Sequence, residues 1–109
     1  MNREMQARIN ESMRTVRFSN KSGSYLNCIR LNPQSKGPHN DKMIELCKGY
    51  LEMGIPFYTE VIFEKPYSGR ADILLPSQFE IVEVLHTESD ARFNAKSYPD
   101  IFKISKVRA

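Results

Sequence analysis

The chain has 109 residues, 40% of them hydrophobic and 27% charged. That suffices for one domain with one core, not two, and argues against wholesale disorder. No apolar run approaches the roughly 18 residues of a transmembrane helix. The stretch MNREMQARINESMR lacks the apolar centre of a secretory signal, so a cytoplasmic protein without a membrane span is expected.

The net charge of +3 is unevenly spread. Residues 1–38 hold seven Lys or Arg against two Glu, a net of +5, and residues 39–109 hold nine basic against eleven acidic residues, a net of −2. A basic N-terminal extension (1–38) on a mildly acidic core (39–109) suits a protein that meets a polyanion with one part and holds a cation with the other. An ordinary solvated basic tail is the alternative. Cys28 and Cys47 fit no zinc spacing and read as reduced thiols packed as small hydrophobes.

Met5, Ile9 and Met13 recur at helical spacing and predict a short helix over 2–13. TVRFS and YLNCIRL alternate around NKSGS and read as a β-hairpin. NPQSKGPHN is a loop and the boundary between extension and core. Asn40 is a natural N-cap, with Met43, Cys47, Tyr50 and Leu51 on one apolar face. Gly54 can close that helix and Pro56 forbids its continuation.

Three strands are predicted next: FYTEVIFE (57–64), RADILLP (70–76) and FEIVEVLHT (79–87), with turns at KPYSG and PSQ. The third is the most apolar and should be central. Thr87 and Asp90 have capping-box spacing and open a short helix that Pro99 stops. IFKISKV (101–107) is a last alternating strand. The core is α/β, in the order helix, three strands, helix, strand.

Two carboxylates stand where carboxylates are expensive. Asp72 lies inside RADILL and Glu83 inside FEIVEVL, and strand interiors disfavour both residue types. A buried, unpaired carboxylate must be neutralised or compensated. A divalent cation compensates two at once, since Mg²⁺ takes one or two carboxylates plus waters and phosphate oxygens. The alternative is that one or both face solvent or pair with Arg70 or a lysine. No Ser or Cys triad and no glycine-rich nucleotide loop is present.

The element order, with GRADILL and IVEVL on adjacent strands, resembles the PD-(D/E)xK nuclease superfamily over about residues 39–107 (restriction endonucleases and Holliday-junction resolvases among its members). The resemblance implies a restriction-endonuclease-like core and Mg²⁺- or Mn²⁺-dependent cleavage of DNA phosphodiesters. Asp72 and Glu83 would hold the metal, with Glu60 on the neighbouring strand as a third or outer ligand. The family lysine belongs two residues after the Glu, and Leu85 stands there. Leucine neither activates water nor offsets charge on the phosphate. Lys96, on the helix expected after the third strand, is the substitute cation, with Arg92 one turn earlier. His86 is a weaker substitute, and His39 is read as a loop residue able to touch phosphate. Arg14, Arg17 and Lys21 on the extension, with Arg92, would contact the DNA backbone. A core this small needs a homodimer to cover a duplex. Leu85 keeps a second reading open: a nucleic-acid-binding or assembly protein that retains the fold and has lost catalysis.

Overall fold

The computed structural model describes residues 2–17, 25–35, 37–85 and 96–109. Among these lie two α-helices, α1 (Arg3–Met13) and α2 (Gly37–Met53), and strands β1 (Tyr58–Ile62), β2 (Arg70–Leu75), β3 (Glu80–Leu85) and β4 (Lys103–Arg108). The strands form one mixed sheet in the order β1-β2-β3-β4. β1 to β3 are antiparallel neighbours, and β4 runs parallel to β3. A parallel return demands a crossover connection. The helix expected there, from Thr87 to the stop at Pro99, falls mostly on residues 86–95, outside the described residues, as do Lys21, His86 and Arg92. Its expected end needs correction, because Lys96, Ser97 and Tyr98 are not helical and Ser97 bridges Ser68 instead. The turn expected at PSQ is one turn of 3₁₀ helix, closed by Phe79 in the left-handed conformation at φ 49°.

α1 forms where periodicity predicts it, capped by Asn2, whose side chain accepts the Met5 N–H at 2.7 Å. Its Ile9 is buried, and Arg8 stacks 5.0 Å over the Phe79 ring. Beyond the helix, Val16 bridges Phe63, and Arg17 N–H and Thr15 C=O bond Ile62 and Glu64. Val16 shares a buried cluster with Val61, Phe63, Ala71, Leu74, Ile81, Tyr98 and Phe102. Residues on both sides of position 38 therefore contribute to one core.

The expected hairpin needs correction, because its second arm, residues 25–31, contains no strand. Asn27 takes a left-handed φ of 55°, which Asn tolerates better than most residues. Its N–H binds Phe57 C=O at 2.8 Å and its side chain accepts Phe57 N–H at 3.0 Å. Thr59 Oγ1 then accepts Arg30 N–H and donates to Cys28 C=O, both at 2.8 Å. Side chains thus occupy the backbone groups that a strand would have spent on a ladder.

α2 begins at Gly37 rather than at the expected cap Asn40. Pro38 sits in the first turn, where a missing N–H costs nothing. Met43 and Cys47 are fully buried, whereas Leu51 is 49% exposed. At the other end Gly54 turns left-handed at φ 70°, and Ile55 N–H binds Tyr50 C=O at 2.9 Å, a glycine-closed helix end. α2 covers one sheet face through Met43 and Cys47, against Phe57, Ile73, Leu75, Val82 and Val84.

Candidate functional site

The β2–β3 ladder pairs Leu75 with Glu80, Leu74 with Ile81 and Ile73 with Val82, and one further step sets Asp72 opposite Glu83. At that step the backbones part. Asp72 Oδ2 accepts the Val84 N–H at 2.8 Å, so a side chain replaces a main-chain acceptor between the strands. On β1, Glu60 falls between the pairs Thr59–Ile73 and Val61–Ala71, across from Asp72. On β4, Lys106 is in register with Glu83. One transverse row, Glu60, Asp72, Glu83 and Lys106, thus crosses all four strands.

All three acids of this row are buried: Glu83 is 0% exposed, Glu60 6% and Asp72 9%. Glu60 also has a left-handed φ of 53° inside a strand, a conformation that costs a non-glycine residue about 1–3 kcal/mol and that gathers at functional sites. Its Oε2 lies 3.7 Å from the Arg70 guanidinium. Burial and the nearby Asp72 charge raise the Glu60 carboxyl above its usual range, with Arg70 and His39 opposing.

Asp72 and Glu83 interact directly, and their protonation is shared unequally. Burial, then the hydrogen bond and charge of Asp72, push Glu83 up to about 8. Burial also works to raise Asp72, but hydrogen bonds from His39, Glu83 and the Val84 N–H together hold it below the ordinary carboxylate range. His39 Nε2 is 3.4 Å from Asp72 Oδ1, and the bond to Asp72 raises the imidazole above its usual value despite burial. Asp72 is therefore the ionised member and Glu83 the proton carrier.

Around Glu83 the groups are few and specific. Lys96 Nζ stands 3.5 Å from Glu83 Oε2 and 3.4 Å from Arg70 C=O. Tyr98 Oη contacts both Glu83 Oε1 and Arg70 C=O, the latter at 3.0 Å. A phenol has one proton for two acceptors. With Glu83 protonated, its single proton lies toward Asp72, and Tyr98 donates to Glu83 Oε1 or to the Arg70 carbonyl. With Glu83 ionised, Tyr98 turns to Glu83, and Lys96 remains on the Arg70 carbonyl. Glu83 Oε2 is buried and accepts no hydrogen bond.

The expected residues thus divide. Asp72, Glu83, Glu60 and Lys96 come together, Lys96 from an extended segment next to a Ser68–Ser97 bridge. Leu85 is buried and brings no cation. Arg14 and Arg17 are exposed beyond α1, and Arg17 N–H binds Ile62, the partner of Arg70. Lys21 and Arg92 lie outside the described residues. Sequence reasoning missed Tyr98, undervalued His39, and had no means of finding Lys106, which only the β3–β4 register identifies.

Among the described residues no three His, Cys, Asp or Glu side chains form a group able to enclose a metal ion. What they offer is a buried pair: Asp72 Oδ1, 3.4 Å from His39 Nε2, and Glu83 Oε2, which accepts no hydrogen bond and has the Lys96 ammonium 3.5 Å away. An oxygen-seeking ion that keeps waters and takes substrate oxygens needs no more protein ligands than that. No protein-family model, curated protein or solved structure matches the chain.

Proposed function

We propose that this protein is a metal-dependent phosphodiesterase acting on DNA, with a site of the PD-(D/E)xK type built on a restriction-endonuclease-like core. Asp72 and Glu83 are the residues that would hold Mg²⁺ or Mn²⁺, with Glu60 behind them. The ion would supply a hydroxide at neutral pH and charge stabilisation at the scissile phosphate. One observation carries the reading: the ammonium of Lys96 lies 3.5 Å from Glu83 although Leu85 occupies the family's lysine position. A cation beside the carboxylate pair can meet the negative charge that develops on phosphate.

The chain's own residues have definable tasks. His39 keeps Asp72 ionised and oriented. Tyr98 holds Glu83 in place in either protonation state. Arg70, with its side chain 45% exposed, and the exposed Lys106 border the carboxylates on two sides. Together with Arg14 and Arg17 they would bind the nucleic-acid backbone without reading sequence. A homodimer would let so small a core span a duplex. The second reading, a nucleic-acid-binding protein without catalysis, is favoured by the buried Leu85.

Incubation with supercoiled, single-stranded and branched DNA separates the two, with Mg²⁺ or Mn²⁺ and with Asp72→Asn and Glu83→Gln as controls. Metal-dependent cleavage lost in both variants supports the nuclease. Binding without cleavage under every metal supports the second reading.

A further inference from the structure

Lys96 reaches Glu83 along a defined route. Ser68 and Ser97 exchange both backbone hydrogen bonds at 2.9 Å, which fixes the segment carrying Lys96 against the turn that enters β2. In that turn Gly69 adopts φ 96°. A Cβ placed on Gly69 would lie 2.8 Å from Lys96 Cγ, 2.9 Å from Cβ and 3.3 Å from Cδ. The alkyl stem of Lys96 therefore runs over the bare backbone of Gly69, through space that any side chain would fill. Two residues on, Tyr98 reaches the same two groups that receive the lysine, Arg70 C=O and the Glu83 carboxyl.

We infer that Gly69 and Tyr98 are positioning residues for Lys96: Gly69 opens the slot for its stem, and Tyr98 locks its segment onto the acceptors that its ammonium meets. This rests on the phosphodiesterase reading for its catalytic consequence, but not for its geometry. A cation carried on another segment needs an external guide that a lysine at position 85 would get from β3 itself. The Ser68–Ser97 bridge, the Gly69 slot and the Tyr98 anchor are that guide.

The test reads Lys96 directly. Reductive methylation of the folded protein, followed by peptide mass spectrometry, gives the reactivity of each lysine, with exposed Lys48 as internal reference. In the wild type, Lys96 should react about tenfold or more slowly than Lys48, since a held and paired amine reacts only on local opening. Gly69→Ala and Tyr98→Phe should each bring Lys96 toward the Lys48 rate, with circular dichroism unchanged. Gly69→Asn adds the same Cβ on a residue more tolerant of positive φ, and serves if the alanine variant does not fold. The Gly69 variants should also lower kcat on DNA and leave the metal concentration at half-maximal rate unchanged, whereas Tyr98→Phe, which also loses its bond to Glu83, is read on Lys96 reactivity alone. Equal reactivity of Lys96 and Lys48 in the wild type, or Gly69 and Tyr98 variants in which Lys96 stays protected, would overturn the inference. A wild type that cleaves no DNA while its variants unmask Lys96 would overturn the phosphodiesterase reading and leave the positioning intact.

Discussion

Asp72 Oδ2 and the Val84 N–H, 2.8 Å apart, mark the point where β2 and β3 stop pairing and a site opens between them. The carboxylate has two tasks there, as an acceptor for a buried N–H and as an anion facing Glu83. The two can be separated. Asp72→Ala should destabilise the fold by about 1–3 kcal/mol, the cost of stranding a buried donor. Asp72→Asn keeps an acceptor oxygen and should cost clearly less, while still abolishing the metal-dependent cleavage proposed above. Urea denaturation at neutral pH measures both. Equal destabilisation by Asn and Ala would show that the Val84 bond contributes little.

The protonation of Glu83 gives a stability profile of unusual sign for an acid. Its folded-state value, about 8, lies above the ordinary 4.5. The stabilisation is therefore complete below pH 4.5 and is lost as pH rises through 8. His39, also raised, contributes in the same direction above its ordinary 6.5. The metal-free protein should melt at a lower temperature at pH 8.5 than at pH 6. Glu83→Gln should flatten that slope and leave the part that His39 contributes. A wild-type melting temperature that is level or rising between those pH values would contradict the assignment of the proton to Glu83.

The two thiols should behave oppositely. Cys28 is exposed, and Cys47 is buried on the sheet-facing side of α2, where desolvation pushes its thiol up to about 11. Since the thiolate is the reactive form, iodoacetamide at pH 8 should alkylate Cys28 in the native protein and Cys47 only in denaturant. Rapid native labelling of Cys47 would mean that α2 opens readily from the sheet.

How legible all this was in the sequence depends on how local each determinant is. The end of α2 was written in Gly54 and Pro56, and the strands in runs of β-branched and apolar residues. Asp72 and Glu83 could be singled out because an acid inside an apolar strand is costly wherever it folds. The alternation of YLNCIRL misled, because the Asn27 and Thr59 side chains take backbone groups that a ladder would have used. His39 and Tyr98 carry no local signal, since their partners are distant in sequence and are met only through α2 and the segment before β4.

The basic N-terminal residues now call for charge reversal rather than deletion. Ile9 and Val16 are buried, so removing the extension would also remove core. Arg14→Glu with Arg17→Glu leaves those apolar contacts in place. If these residues meet DNA phosphates, the slope of log affinity against log salt should fall by about one to two. An unchanged slope, at unchanged melting temperature, would assign both arginines to the solvated surface.

The strongest demand falls on Lys96. Its ammonium lies 3.5 Å from Glu83 Oε2, where Leu85 offers no charge. Removing a group that meets developing charge typically slows a reaction by about 10²–10³-fold. If the protein cleaves DNA as proposed, Lys96→Ala should therefore lower the rate by about 10²-fold or more, with affinity for DNA changed far less. Lys96→Arg should rescue only in part, because a planar guanidinium is bulkier and stays protonated at neutral pH. The sharper trial places the charge back on β3. Leu85 is two residues beyond Glu83 on the same strand, so their side chains leave the same sheet face. Leu85→Lys in the Lys96→Ala background should then recover a measurable part of the lost rate. Wild-type cleavage by Lys96→Ala would make the lysine a partner of Glu83 in folding alone. Failure of Leu85→Lys to recover any rate, in a variant that still melts cooperatively, would mean that the two positions do not serve the same phosphate.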